Sequence, residues 1–347
     1  MPRIDGSPTA HDARTPSHAN RPRFIALAAT ALALLTGTAW AQSPAPLRVV
    51  TTTAMVADTL REVGGPCVDV VHLMGPGIDP HLYRASAGDV DRLGRAQLIA
   101  HNGLGLEGQL GAVLSRLGAR IPTLALAEQA AAAAAVDRLL EGEDAYEGRP
   151  DPHLWLDAEL WSHTARVAAD AIAALRPDCA EAVRARAADV AARLLALDAW
   201  AVASVGSVPA ANRTLVTSHD AFRYFGRAYG LEVHGIEGIS TESEASIADI
   251  RATADLVLAT GVPAIFVETT LSPRTIEAVR AAVRDRGGDV AVGGTLFGDA
   301  MGDASTPEGT LIGMLRHNVI TIVTALGGEI APWPDALADW AESWNLP

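Results

Sequence analysis

The chain has 347 residues, 49% apolar and 20% charged, with a formal net charge of −14, enough for two compact units with sizeable cores. All 27 basic residues are arginine and they are scattered, so nucleic acid is not an expected partner: neutralising phosphates needs clustered positive charge. A single apolar run approaches membrane length, which excludes a polytopic membrane protein.

That run is Phe24–Ala39, free of charge, preceded by Arg21 and Arg23 and ending in the small-x-small signature Ala39-Trp40-Ala41. It is shorter than the roughly 20 residues of a membrane span, so a cleaved signal peptide over residues 1–41 is expected rather than an anchor helix. No cysteine lies near the cleavage point to take a lipid. The leader carries four arginines against two aspartates, so the mature chain is more negative than the whole. Export across a membrane, most simply to a bacterial periplasm, is the expected localisation.

From Leu47 the pattern alternates. LRVVTTT is a β-branched run, AMVADTLREVGG an amphipathic stretch, and CVDVVHLM a second strand stopped by the turn residues GPGIDP. A helix over Ala85–Leu93, the strand AQLIAHNG, a helix around Glu107–Leu117, the strand IPTLALA and a helix around Asp157–Leu175 follow. This alternation predicts a doubly wound α/β lobe with a mostly parallel sheet over residues 42–178. The Ala-rich stretch Gln129–Ala135 and the acidic GEDAYEG after it read as a surface excursion.

Residues 179–205 break the pattern. Ala180–Ser204 is made mostly of good helix formers without Pro or Gly, and as one helix it would span about 37 Å. Alternation then resumes through TLVTS, AFRYFGRAYG, LEVHGIE, IADIRATADLVLATG, AIFVE, PRTIEAVRAAVRDRG, DVAVGG and GTLIGMLRHNVITIVTALGG. A second α/β lobe is therefore expected over 206–347, joined to the first by one long helix. The two cysteines, Cys67 and Cys179, lack metal-site or redox-motif spacing; in an oxidising compartment both a bridge and free thiols are open.

Eight histidines remain after the leader, and three stand out by context. His81 in GIDPHLY and His219 in LVTSHDAFRYF closely follow strands, at the carboxyl ends where open α/β sheets place ligands. His153 in PDPHLWLD has no clear strand before it; its case is the repeated Asp-Pro-His-Leu-aromatic motif. Pro locks φ and keeps the residue before it extended, so Asp-Pro fixes how the chain presents the histidine. Asp299 in GGTLFGDAMGD is the fourth candidate, with Asp303 and Glu268 as rivals. Three neutral imidazoles and a carboxylate form a set suited to Zn²⁺ or Mn²⁺, while the lack of a thiolate disfavours soft-metal chemistry. Asp79, Asp151 and Asp220 are candidates to orient the rings or cap turns. Tyr83, Trp155 and Tyr224 are expected as walls of the site. His72 and His234 fall within strands, His163 and His317 on helix faces, and His101 has no paired signature.

Taken in order, GIDPHLY, HNGLGLE, DPHLWLD, TSHDAFRYF, GISTESEAS and GGTLFGDAMGD…GTLIGMLRHN resemble the TroA-like solute-binding proteins, the metal receptors of ABC importers for manganese, zinc or iron. The resemblance runs from Leu47 to Gly328. It implies two α/β lobes bridged by a rigid helix, with a metal site in the cleft between them. It places His81 and His153 from the first lobe, and His219 and Asp299 from the second, as ligands. It implies that the cargo is Mn²⁺ or Zn²⁺, with Fe²⁺ also in the class, and that the partner is the importer's membrane permease; a monomer is expected. The His-rich acidic loop of zinc-specialised members is absent, and many manganese members have Glu where this chain has His219. The rival class is a secreted zinc hydrolase, which would need an open coordination position and a general base; the chain has no HExxH helix, Gly-x-Ser-x-Gly elbow or P-loop.

Overall fold

The computed structural model describes residues 44–134, 139–142, 146 and 148–346; the expected leader lies outside them. Apolar β-branched runs build a parallel sheet whose inner strands are largely buried while its edge strand is half-exposed. Strand β1 (Leu47–Thr51) lies between β2 (Val68–His72) and β3 (Leu98–His101), and β4 (Thr123–Ala125) completes the order β2-β1-β3-β4. Helices α1 (Ala54–Gly64), α2 (Ala87–Gly94), α3 (Gly111–Gly118), α4 (Leu126–Ala134) and α5 (Ala158–Leu175) accompany it. The strand order reverses between β1 and β3, and in such a sheet ligands gather at the carboxyl ends beside that point.

Helix α6 (Ala180–Val205) is 26 residues long, about 39 Å, and unbroken. Val183, Ala187, Val190, Leu194, Leu197, Ala201 and Val205 form its buried stripe at helical spacing. The stripe packs against α1 and α5 and, further along, against α10 (Leu311–Ala325), so one helix touches both halves.

In the second half β5 (Thr214–His219) pairs with β6 (Glu232–Glu237), and β7 (Ala264–Glu268) pairs with β8 (Ala291–Leu296), all parallel. Strand β5 also runs beside β7, so the spatial order repeats that of the first half. Helices α7 (Arg223–Tyr229), α8 (Ile247–Thr260), α9 (Arg274–Asp285) and α10 surround these strands, and α11 (Ala338–Ser343) closes the chain. Capping boxes at Ser86/Asp89 and Ser246/Asp249 start α2 and α8. Among the described residues no helix is long and apolar enough to cross a membrane.

The Ala-rich stretch is not the surface excursion expected. Its residues up to 134 belong to α4, and Ala130 and Ala131 are buried in the main core. Alanine is the best helix former, and its short side chain lets α4 lie close against α5. Ala135 lies outside the described residues. In the acidic stretch that follows, Tyr146 is likewise buried, with its hydroxyl donating to the Leu104 carbonyl.

Cys67 and Cys179 form a disulfide between residues 112 apart in sequence, which ties the start of α6 to the entry of β2. Replacing both cysteines with alanine should lower unfolding stability by about 2–4 kcal/mol in a urea titration, since the bridge restricts a long loop of the unfolded chain. Unchanged stability would remove the bridge from the forces holding the helix to the first half.

Candidate metal centre

The two Asp-Pro-His segments fold into the same local turn. Asp79 Oδ1 accepts the His81 N–H at 2.8 Å, and Asp151 Oδ1 accepts the His153 N–H at 3.0 Å. Each aspartate thereby closes a short loop around its proline and points the histidine inward. His219 is the last residue of β5, and Asp299 lies in the loop after β8.

These four side chains converge. His81, His153, His219 and Asp299 each present a ligand atom within 4.8 Å of the others, and none is more than 2% exposed. His153 Nε2 lies 3.2 Å from Asp299 Oδ1; His219 Nε2 and His81 Nε2 lie 3.2 Å and 3.4 Å from Oδ2. The Nε2 atoms of His81 and His153 are 3.4 Å apart. Four donors about 2.0–2.2 Å from a tetrahedral centre stand about 3.3–3.6 Å from one another, close to the four contacts of 3.2–3.4 Å, so these side chains can close around one small divalent ion. Of the rivals, exposed Asp303 turns back onto Ser305, and Glu268 stands behind His219.

Carboxylates behind the rings fix their orientation. Asp151 Oδ1 lies 2.8 Å from His153 Nδ1, so that nitrogen carries the hydrogen and Nε2 faces the cluster. Glu268 Oε1 accepts the His219 N–H at 2.9 Å, and its Oε2 lies 2.8 Å from Nδ1. This last contact is an ion-pair approach that does not meet hydrogen-bond geometry. Both Asp299 oxygens are buried and receive no hydrogen bond among the described residues. Such a centre needs positive charge, as protons or as a metal ion.

A family model for the periplasmic zinc-uptake complex component A, ZnuA, matches residues 49–325. The chain belongs to the ZnuA family. The zinc-binding protein TroA of Treponema pallidum is 44% identical over 278 residues, covering 80% of this chain and 88% of that protein. The manganese-binding lipoprotein MntA of Bacillus subtilis is 39% identical over 281 residues, covering 81% and 90%. The solved structure of periplasmic TroA from T. pallidum superposes with a TM-score of 0.77 over 81% of this chain and 99% of that one. Iron(III)-bound YtgA of Chlamydia trachomatis, 29% identical, gives 0.75 over 82% and 100%. The α/β fold with a long joining helix is therefore that of the ZnuA family.

Asn102, Glu107 and Gly298 carry no signal in isolation, whereas Trp155 was expected as a wall. Asn102, at the end of β3, donates from Nδ2 to the Pro152 carbonyl and so holds the second Asp-Pro-His turn. Buried Glu107 accepts from Thr52 Oγ1 and the Asn102 N–H, fastening β1 to β3 at the reversal. Trp155 packs 5.2 Å from the His153 ring and donates from Nε1 to the carbonyl of Gly298, beside Asp299. Gly298 has no side chain because a Cβ there would run into the Glu268 carboxylate. Of the other expected walls, the Tyr224 hydroxyl donates to the Asp151 carbonyl, whereas Tyr83 turns away to Asp89. Asp220 pairs with Arg223. His101 stands beside Glu107, while His72, His163, His234 and His317 have partners outside the cluster.

Burial alone would lower the His153 imidazole, but the Asp299 and Asp151 carboxylates outweigh it and raise it to about 9. Against the same burial, Glu268 and Asp299 hold His219 well above its ordinary value. Burial would raise Asp299, yet the charges of His219 and His153 keep it well below the carboxylate range. Without metal these rings hold protons at neutral pH, and an arriving ion must displace them. Affinity should therefore fall as pH drops below about 9, by up to about tenfold per pH unit for each proton displaced. Calorimetry at pH 7 in buffers of different ionisation enthalpy should show at least one proton released per ion; no release would contradict this electrostatic picture.

Proposed function

We propose that this chain is an exported substrate-binding protein that captures one divalent transition-metal ion and delivers it to the membrane permease of an ABC importer. His81, His153, His219 and Asp299 are the proposed ligands. The cargo is Mn²⁺ or Zn²⁺, with Fe²⁺ in the same chemical class. The carrying observation is the buried cluster of three imidazoles and one carboxylate, spaced for a single ion. Membership of the ZnuA family and likeness to proteins named for zinc and manganese binding support the same reading. Four protein donors, each almost wholly buried, fit carriage better than hydrolysis, which needs an open position for water and substrate.

In this reading residues 1–41 are a cleaved export signal, 42–178 and 206–347 are the two lobes, and 179–205 join them. The protein works as a monomer in the periplasm. Each lobe supplies two ligands, so the ion itself holds the cleft closed. The permease then has to separate the lobes to take the ion.

Titration of metal-free protein should give one Zn²⁺ per chain, with Mn²⁺ competing more weakly, as the Irving–Williams order requires whichever ion is physiological. His81→Ala and Asp299→Ala should each weaken binding by more than about 100-fold, above the 10–100-fold typical of outer-shell losses. Wild-type affinity in either variant would remove that residue from the ligand set. Robust metal-dependent hydrolysis of esters or peptides would overturn the carrier reading.

A further inference from the structure

The two Asp-Pro-His turns share a sequence and an aspartate-to-histidine N–H bond, yet their aspartates serve different partners. Asp151 turns onto its own histidine, meeting both the backbone N–H and the Nδ1 of His153 through Oδ1. Asp79 gives Oδ1 to the His81 N–H and turns Oδ2 to the other half of the molecule. There it accepts from Thr241 Oγ1 at 2.6 Å, across 162 residues of sequence. Thr241 lies between β6 and α8 and is only 5% exposed, so the donor of this short, part-buried bond to a carboxylate is itself held inside the fold.

The rings differ in the same way. His153 and His219 each have a carboxylate from their own half beside Nδ1. Among the described residues, the carboxylate contact of the His81 ring is with Asp299, which belongs to the opposite half. His81 also lines a cavity of about 90 Å³ with Tyr146, Arg149, Ser240 and Glu242, so the neighbours of Thr241 border the space beside this ligand. His81 is thus the ligand whose placement depends most on the two halves being together.

We infer that Thr241 is a positioning residue for metal retention. Its hydroxyl latches the His81 turn through Asp79 when the halves meet, and breaking that bond lets His81 withdraw first. This rests on reading the cluster as a metal site. A hydrogen bond made only in the closed state opposes opening, so its loss acts mainly on release rather than capture. Losing a bond to a charged acceptor corresponds to about a tenfold faster release.

The test is stopped-flow transfer of Zn²⁺ from loaded protein to excess chromophoric chelator, with thermal melting of each metal-free protein alongside. Thr241→Val should release Zn²⁺ about tenfold faster than wild type, Thr241→Ser should restore slow release, and the metal-free proteins should melt together. Asp79→Asn keeps an oxygen for the His81 N–H but offers Thr241 only a neutral partner, so it should release at an intermediate rate. Wild-type release from Thr241→Val, or a Thr241→Ser variant no slower than Thr241→Val, would overturn the latch. If Thr241→Val melts early, Asp79→Asn releasing at the wild-type rate would overturn it instead. Failure of the wild type to take up Zn²⁺ would defeat the underlying metal reading, an outcome distinct from metal that binds and leaves all variants alike.

Discussion

Asp299 has both carboxylate oxygens buried, and three imidazole Nε2 atoms stand within 3.4 Å of them. A carboxylate in that position must be neutralised, and its ion-pair partners among the described residues are the three histidines. Protons held on His153 and His219 can supply the charge, and so can one divalent ion seated among the four side chains. Exchange between these two fillings couples metal capture to proton release. The outward carboxylates Asp151 and Glu268 bias the exchange by keeping the ring nitrogens aimed inward.

The fold supplies this centre from two sides. His219 ends β5, and His81 and Asp299 lie in the loops after β2 and β8, at the carboxyl ends where parallel sheets gather their sites, whereas His153 is carried by the segment between α4 and α5. Neither half has the full set: His81 and His153 come from one, His219 and Asp299 from the other. Bonds from Trp155 to Gly298, Tyr224 to Asp151 and Thr241 to Asp79 stitch the halves together beside three of the four clustered residues. Helix α6 spans both halves on a continuous buried stripe, and a continuous helix resists wide bending. Small shifts at the cleft are thus the motion this architecture accommodates most readily.

The strand–helix alternation, the long joining helix and the four clustered residues were legible because they rest on local signals. Hydrophobic periodicity marks the elements, and Asp-Pro-His repeats and strand ends mark the histidines. Trp155 was legible as a wall of the site, but its bond to Gly298 and the roles of Glu268 and Thr241 were not, since each acts through a partner far away in sequence. Glu268 read as a rival ligand because a carboxylate at a strand end looks the same whether it faces a metal or the back of a ring. The Ala-rich stretch misled for a different reason: low complexity resembles a loop, yet alanine is the residue that lets α4 pack closely. Whether Cys67 and Cys179 pair depended on how the chain returns α6 to the first sheet, which spacing alone does not encode.

Whether three imidazoles and one carboxylate hold a single ion can be read from X-ray absorption at the metal edge of the Zn²⁺-loaded protein. The expected spectrum has a first shell of nitrogen and oxygen at about 2.0–2.2 Å, with outer scattering from three imidazole rings. A shell of water alone, or scattering from fewer than two imidazoles, would contradict that ligand set.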